Sequence, residues 1–380
     1  MDLTVTQSSL HRALRLVARI APSRASLPIL QTVLVHASPD GLTLTATDAE
    51  MGVVTRLAAD VTESGRIAIP ARLLGETIAQ LPAEPVRLTL NLASHRARIA
   101  CGRSVARLAT LDAADFPTLP ATGDRWAFDL AARRLRQALD RVAFAASRDT
   151  SRPSLAAVLF DFRPEGLTLA AADGFRLARA RLPEAGGTTQ QLLVPARAVA
   201  EFSRLLSEGE MARLSLTPDA RGLYLTVGTT TLFTLLVDGR FPDIERVIPQ
   251  AWRTCVTLET AGFRQAVQVA SLFGVNGDTR PVVLEAEHGR LRLRARGDET
   301  GEAESDLPAS VEGEAQDVVL NTRLLTDLLE TVSEPRLQLT WTSAQSPVVV
   351  RELGGGAADD VYVVMPLNQR AAPRREVQAT

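Results

Sequence analysis

Few side chains in this sequence could perform covalent or metal chemistry, and their spacing argues against it. The four histidines, His11, His36, His95 and His288, lie far apart, with no HxxxH or HExxH pair to hold a metal. Cys101 and Cys255 stand alone without CxxC spacing, so they read as buried or neutral thiols in a reducing cytosol, not a disulfide or metal pair. All 42 basic residues are arginine, so the lysine-dependent GxxxxGK[ST] phosphate loop cannot exist. No GxGxxG joins a strand to a helix, and Gly354-Gly355-Gly356 leads towards two acids instead of a helix. Asp48 and Asp173 could suggest a carboxylate site. They occupy equivalent places in a repeat, however, and read as strand-end carboxylates that cap local backbone amides. These absences point away from an enzyme, from a bound metal and from any cofactor. What remains is guanidinium chemistry, which is planar, permanently charged and suited to bidentate contact with phosphate.

The elements that carry those arginines are written three times. Gly41-Leu42-Thr43-Leu44-Thr45-Ala46-Thr47-Asp48 returns as Gly166-Leu167-Thr168-Leu169-Ala170-Ala171-Ala172-Asp173, and more faintly as Gly289-Arg290-Leu291-Arg292-Leu293-Arg294-Ala295-Arg296, at offsets of 125 and 123 residues. A second phrase keeps the same beat: Ile69-Pro70-Ala71-Arg72-Leu73-Leu74, Val194-Pro195-Ala196-Arg197-Ala198-Val199 and Leu320-Asn321-Thr322-Arg323-Leu324-Leu325. Asp115-Phe116-Pro117 and Arg240-Phe241-Pro242 share a third. A unit near 125 residues can bury its own core, so the 380 residues read as three repeated domains, not a solenoid.

Each unit opens with a short strand and a helix. Leu10, Leu14, Val17 and Ala21 fall at helical spacing after Leu3-Thr4-Val5. Pro39-Asp40-Gly41 is a hairpin signal between Val33–Ala37 and Leu42–Thr47. One unit reads β-α-β-β-β twice over, so the chain should contain six helices and roughly two dozen strands in an α+β fold. The boundaries fall in Pro-rich stretches, giving domains over 1–122, 123–250 and 251–367 and a polar, non-periodic tail over 368–380 that reads as disordered.

The six expected helices, 7–20, 71–81, 131–146, 196–207, 261–274 and 322–332, carry twelve arginines against five acids, while thirty arginines face thirty-nine acids elsewhere. Ordinary arginine enrichment at good helix positions would explain this. So would a basic helical surface set against an acidic sheet surface. The net charge of −2 argues against a general nucleic-acid coat protein. No run of 18 apolar residues spans a membrane and the N-terminus lacks a signal peptide's pattern, so the expected location is the cytoplasm.

The sequence resembles the bacterial DNA polymerase III beta subunit family, the sliding clamps, over its length to about Leu367. The matching phrases are Leu27-Pro28-Ile29-Leu30, Leu44-Thr45-Ala46-Thr47-Asp48-Ala49-Glu50, Ala172-Asp173-Gly174-Phe175-Arg176-Leu177-Ala178, Asp238-Gly239-Arg240-Phe241-Pro242-Asp243 and Tyr362-Val363-Val364-Met365-Pro366-Leu367. The resemblance implies a head-to-tail ring of two chains, with helices lining a hole and sheets outside. Helix packing agrees. Six helices in a closed circle leave a hole of only roughly 8 Å, twelve leave roughly 26 Å and eighteen about 44 Å, and only twelve suit a duplex about 20 Å across. A ring holding duplex DNA topologically needs only loose, sequence-independent phosphate contact, which permits sliding. The rival expectation is a non-loading paralogue that binds partners as a scaffold or decoy.

By the same resemblance, a cleft for short motifs of the Gln-x-x-Leu-Phe kind, supplied by the polymerase III alpha subunit, the clamp loader and other clamp-motif proteins, falls on Arg152, Leu155, Ala172, Gly174, Phe175, Arg176, Leu177, Pro242, Val247, Val363, Met365, Pro366 and Leu367. A flexible Met, apolar walls and a rim of Arg suit varied ligands, although Met365-Pro366 also reads as a strand ending in a turn. DNA contact is expected at Arg24, Arg72, Arg148 and Arg197. The ring contact is expected where Leu74, Ile78 and Leu108 meet Leu272 and Phe273 of a second copy, with Arg103 or Arg107 near Glu302 or Glu304. The family commonly has His where Phe175 stands, Thr at Ala172, Tyr near Leu324 and a shorter tail, which bears on peptide preference rather than on fold.

Overall fold

The structure is a computed structural model that describes residues 1–91, 95–123, 126–183, 189–273, 280–297, 301–354 and 360–367. The expected tail over 368–380, and Gly355-Gly356 of the glycine run, lie outside the described residues. The helices are α1 (Gln7–Val17), α2 (Ala71–Ala79), α3 (Ala132–Ala143), α4 (Ala196–Leu205), the single turn α5 (Ile244–Val247), α6 (Thr260–Ala270) and α7 (Thr322–Thr331). The six long ones sit where the repeat places them. Several stop short of their expected ends because the last turn tightens. After α6, Leu272 N–H bonds to Val269 O at 3.1 Å and Phe273 N–H to Ala270 O at 3.1 Å. No helix among the described residues is long and apolar enough to cross a membrane.

The helices are amphipathic by arithmetic. α1 buries Leu10, Ala13, Leu14 and Val17, one stripe at i, i+3, i+4 and i+7, and exposes Arg12 and Arg15. α1 packs on α2, and α6 on α7. Arg264 of α6 is committed to structure: it donates to Leu329 O (3.1 and 2.9 Å) and Val332 O (3.0 Å), satisfying carbonyls at the end of α7.

Twenty-five strands among the described residues form antiparallel sheets of five, eight and twelve strands. The strand ahead of each helix leaves the three strands that follow that helix. Asp2–Thr6 precedes α1 but pairs with Pro85–Asn91, after α2; Gly65–Pro70 precedes α2 but pairs with Thr32–Ser38, after α1. The second repeat makes the same exchange, with Ala127–Ala131 on Met211–Leu216 and Gln190–Pro195 on Ala157–Arg163. In the third, Thr254–Glu259 lies on Arg336–Trp341 and Asp317–Asn321 on Pro281–Glu287. Each repeat thus builds two four-stranded layers, and each helix follows a strand of one layer and leads into a strand of the other.

The layers of successive repeats join edge to edge by one rule. The last strand of a second half pairs with the third strand of a first half: Thr230–Leu235 with Met51–Leu57, and Val361–Val364 with Arg176–Leu182. Clustering of contacts divides the chain into two compact units, residues 1–133 with 204–236 and residues 134–203 with 237–380, and each junction lies within one unit.

Three residues expected at the ring contact are instead core. Leu74, Ile78 and Leu108 are 1%, 0% and 6% exposed. The buried stripe of α2 is Ala71, Leu74 and Ile78, at i, i+3 and i+7, and it is closed by the chain itself; the strand Ser104–Ala109 turns Leu108 inward. The apolar residues left outside are their neighbours Leu73 and Val105. Of the other two expected contacts, Leu272 is 73% exposed, while Phe273 is partly buried beside Gly301.

Candidate functional site

The expected cleft residues gather in the unit of residues 134–203 and 237–380. Ala172 pairs with Leu177 across a hairpin, and Leu177 pairs with Val363 of the C-terminal strand. These three pack with Ile248, Val349 and Val361 into one buried apolar cluster, against which Leu155, Phe241 and Ile244 lie partly buried. Strand alternation sends these side chains to one face of the sheet. The sequence reading missed Ile248, Val349 and Val361: Val349 pairs with Val363 and Val361 with Arg179, and no local pattern in the sequence signals these contacts.

A tight turn ends the hairpin. Asp173 Oδ1 accepts from the N–H groups of Phe175 (2.9 Å) and Arg176 (3.0 Å), and Gly174 sits at φ +94°, where L side chains are disfavoured. Asp48 does the same in the first repeat, accepting from Glu50 N–H (3.0 Å) and Met51 N–H (2.7 Å). Both aspartates are local caps, as the repeat predicted. The turn leaves Phe175 67% exposed, with its carbonyl accepting from Met365 N–H at 2.8 Å. Pro366 and Leu367 continue from there, and Leu367 N–H bonds to Val319 O at 2.8 Å.

Arg176 is not a free rim group. Its Nε lies 2.9 Å from Asp173, its Nη1 2.6 Å from Asp327 of α7, and its guanidinium carbon 5.2 Å from the Phe144 ring centroid. Arg152 is exposed, and its carbonyl anchors the Leu155 turn by accepting from Leu155 and Ala156 N–H groups at 3.0 and 3.1 Å. Pro242 precedes α5 and Val247 ends it, and both are exposed while Ile244 packs inward. A groove of about 630 Å³ runs beside this segment, lined by Asp161, Arg181, Phe241, Pro242 and Glu245 among others. Pro242 is the one expected cleft residue in it.

Burial sets the electrostatics behind this face. Asp360 meets Arg141 at 2.8 Å, yet desolvation holds its carboxyl above the ordinary range. The Tyr362 phenol is pushed well above its usual value by burial and by the carboxylate of Glu352. Glu352 in turn accepts from Ser333 and Glu334 N–H groups at 3.0 and 2.9 Å. Burial also raises the Cys255 thiol, which keeps it neutral and unreactive; both cysteines are free and buried.

The expected DNA-contact arginines are all exposed. Arg24 and Arg72 belong to the unit of residues 1–133 with 204–236, and Arg148 and Arg197 to the other. Arg72 holds an ion pair with Glu76 one helical turn on, at 2.8 Å.

Comparison with known proteins covers the whole of this architecture. Models of the DNA polymerase III beta subunit match its N-terminal domain over residues 1–120, its central domain over 129–243 and its C-terminal domain over 245–368. The beta sliding clamp of Pseudomonas aeruginosa is 30% identical over 372 residues, covering 97% of this chain and all of the relative. A crystal structure of the Pseudomonas aeruginosa DnaN sliding clamp bound to griselimycin superposes with a TM-score of 0.91 at 29% identity, covering 97% of this chain and 99% of that one. The Caulobacter crescentus beta sliding clamp, with polyethylene glycol bound to its putative beta-motif tethering region, gives a TM-score of 0.91 at 30% identity, with the same coverage. With three clamp domains in register from end to end, the chain belongs to the DNA polymerase III beta subunit family, the bacterial sliding clamps.

Proposed function

We propose that this chain is a DNA sliding clamp: a ring-shaped, head-to-tail homodimer that encircles duplex DNA without reading its sequence and tethers the replicative polymerase. It acts in the cytoplasm by topology, not catalysis. The observation that carries this reading is the pair of sheet edges that the repeat leaves open. Several strands end a sheet among the described residues, and two open edges stand where the junction rule calls for a partner: Ser104–Ala109, the last strand of the first repeat, and the Gly301–Pro308 part of Gly301–Gly313, the third strand of the last repeat. The junction rule that joins the repeats inside the chain would join these two edges between chains. Arg103 and Arg107 lie at one and Glu302, Glu304 and Asp306 at the other, where Glu304 and Asp306 also meet Arg292 of their own chain at 3.1 and 2.9 Å. Apolar contact comes from Val105 and Leu73 on one side and from Leu272, beside Phe273, on the other. A heterologous contact that closes after two copies leaves no open edge.

In this ring Arg24, Arg72, Arg148 and Arg197 meet phosphates. The cleft from Leu155 to Leu177, Pro242 to Val247 and Val363 to Leu367 receives apolar motif peptides from the polymerase III alpha subunit, the clamp loader and other partners. Native mass and retention on DNA test the whole. The expected outcome is a dimer that, once loaded, stays on closed circles and runs off linear duplexes. A monomer, or equal retention on both, would refute it.

A further inference from the structure

Arg290, Arg292 and Arg294 form a ladder along the strand Arg290–Gly297. They alternate with Leu291, Leu293 and Ala295, which are buried on the side where α6 packs, so the guanidiniums stand on the opposite, open face. Carboxylates flank them from both neighbouring strands. Arg292 lies across from Glu285 on one side and Asp306 on the other, and Arg294 lies across from Glu304. Arg292 Nε meets Asp306 Oδ1 at 2.9 Å and Glu304 Oε1 at 3.1 Å. Arg294 Nη1 meets Glu285 Oε1 at 3.3 Å, and its Nε lies 3.9 Å from Glu304 Oε2. Through its hydrogen bond, the Arg292 guanidinium holds the Asp306 carboxyl below the ordinary carboxylate range. Glu304 and Asp306, which lie on the open Gly301–Pro308 edge, are thus already engaged within their own chain.

The Ser104–Ala109 edge is the reverse. Arg107 stands directly across from Arg98 of the strand Arg96–Cys101, and like charges placed opposite each other on paired strands are destabilising. The side chains of Arg98, Arg103 and Arg107 form no hydrogen bond or ion pair with any described residue. Leu108 turns inward, so Arg107 turns to the open face, as the ladder does. When the two edges meet in the ring, Glu304 and Asp306 face two sources of guanidinium: their own Arg292 and Arg294, and Arg103 and Arg107 of the second copy. A carboxylate whose charge one guanidinium already offsets attracts another less, and the newcomer is repelled by the first.

We propose that Arg292, aided by Arg294, limits the strength of the ring joint by competing with Arg103 and Arg107 of the second copy for Glu304 and Asp306. The clamp then closes on a joint that opens more readily than its charges imply, which suits a ring that has to open before it can admit a closed circle of DNA. This role rests on the ring reading above and concerns the strength of the joint, not its existence.

The test measures the dissociation constant of the full-length dimer by fluorescence-detected sedimentation at low and high salt, and follows subunit exchange between two labelled pools. Arg292→Gln should tighten the dimer by about tenfold at low salt, since one surface ion pair supplies about threefold per joint and the ring has two joints. Arg294→Gln frees Glu304 by a different route and should tighten it by about threefold. Both gains should shrink at high salt and come with slower exchange. They should vanish when Arg103 and Arg107 are also changed to Gln, because the freed acids then have no guanidinium to meet across the joint. Arg290→Gln removes the same charge from the ladder, but the closest partner of Arg290 is Glu287 on the far strand, so this variant should stay within about twofold of wild type. Tightening in neither Arg292→Gln nor Arg294→Gln, a gain that survives without Arg103 and Arg107, or an equal gain in Arg290→Gln overturns the proposal. A wild-type chain that is monomeric at every concentration overturns the ring reading itself, and the role of Arg292 with it.

Discussion

Arg176 Nη1 lies 2.6 Å from Asp327 Oδ2, and this contact ties the turn that presents Phe175 to helix α7 of the third repeat. The same guanidinium holds Asp173 at 2.9 Å, so one side chain fixes both the shape of the turn and its attachment. The Arg176 side chain is only 10% exposed, which makes the pair harder to replace with water than a surface ion pair would be.

Asp327→Asn should therefore loosen the turn without unfolding the chain. The expected stability loss is about 1 kcal/mol, because Asp173 still partners Arg176. Motif-peptide affinity should fall about three- to tenfold as Phe175 loses its fixed position, while the dimer stays intact. Met365→Ala should go further and abolish peptide binding, again with the dimer unchanged. Urea denaturation, anisotropy and sedimentation read the three quantities separately. Wild-type affinity in Asp327→Asn would mean that the turn holds its shape without α7.

Two leucines separate interface from core. Leu272 is 73% exposed, so Leu272→Ala should change chain stability by less than about 0.5 kcal/mol and yield monomers in sedimentation. Leu74 is 1% exposed, so Leu74→Ala should cost about 2–5 kcal/mol in urea denaturation. A Leu272→Ala chain that remains dimeric at low concentration would remove that residue from the ring contact.

Neutralising Arg24, Arg72, Arg148 and Arg197 together should flatten the dependence of DNA affinity on log salt by up to about 3.6 units, if each meets one phosphate. Arg72 should contribute least, since Glu76 at 2.8 Å already offsets its charge. Arg24→Ala alone should accordingly change the slope more than Arg72→Ala. An unchanged slope in the fourfold variant would place these side chains away from the duplex.

Asp360 gives a pH signature. It is 2% exposed, and burial raises its carboxyl above the ordinary carboxylate range despite Arg141. The folded state then holds its proton to higher pH than the unfolded state does. The contribution of Asp360 to stability falls as pH rises from about the unfolded value through the raised folded value, and its cost is fully present above both. Asn cannot titrate, so the stability of Asp360→Asn relative to wild type should climb with pH across that window. Urea denaturation from about pH 4 to about pH 7 follows it. Parallel stability curves for the two proteins would contradict the raised carboxyl.

The sequence alone determined the threefold repeat, its helices and hairpins, and the capping role of Asp48 and Asp173. These are local features: helical periodicity, Asp-Gly turns and an aspartate within reach of the next amides are written within a few residues. It also placed Ala172, Leu177 and Val363 in one site through the resemblance to the clamp family. Tertiary structure alone decided the exchange of leading strands. Asp2–Thr6 alternates in a way that either layer could accept, and its choice of Pro85–Asn91 rests on a pairing some eighty residues away. It decided that Leu74 is core and Leu73 surface, because the face of α2 that turns inward depends on where α1 lies. It decided that Arg176 is a tie, since whether a guanidinium is satisfied depends on carboxylates brought near it from distant segments, such as Asp327 151 residues on. Periodicity tells which residues want to be buried or charged; only the folded chain supplies, or withholds, the partner.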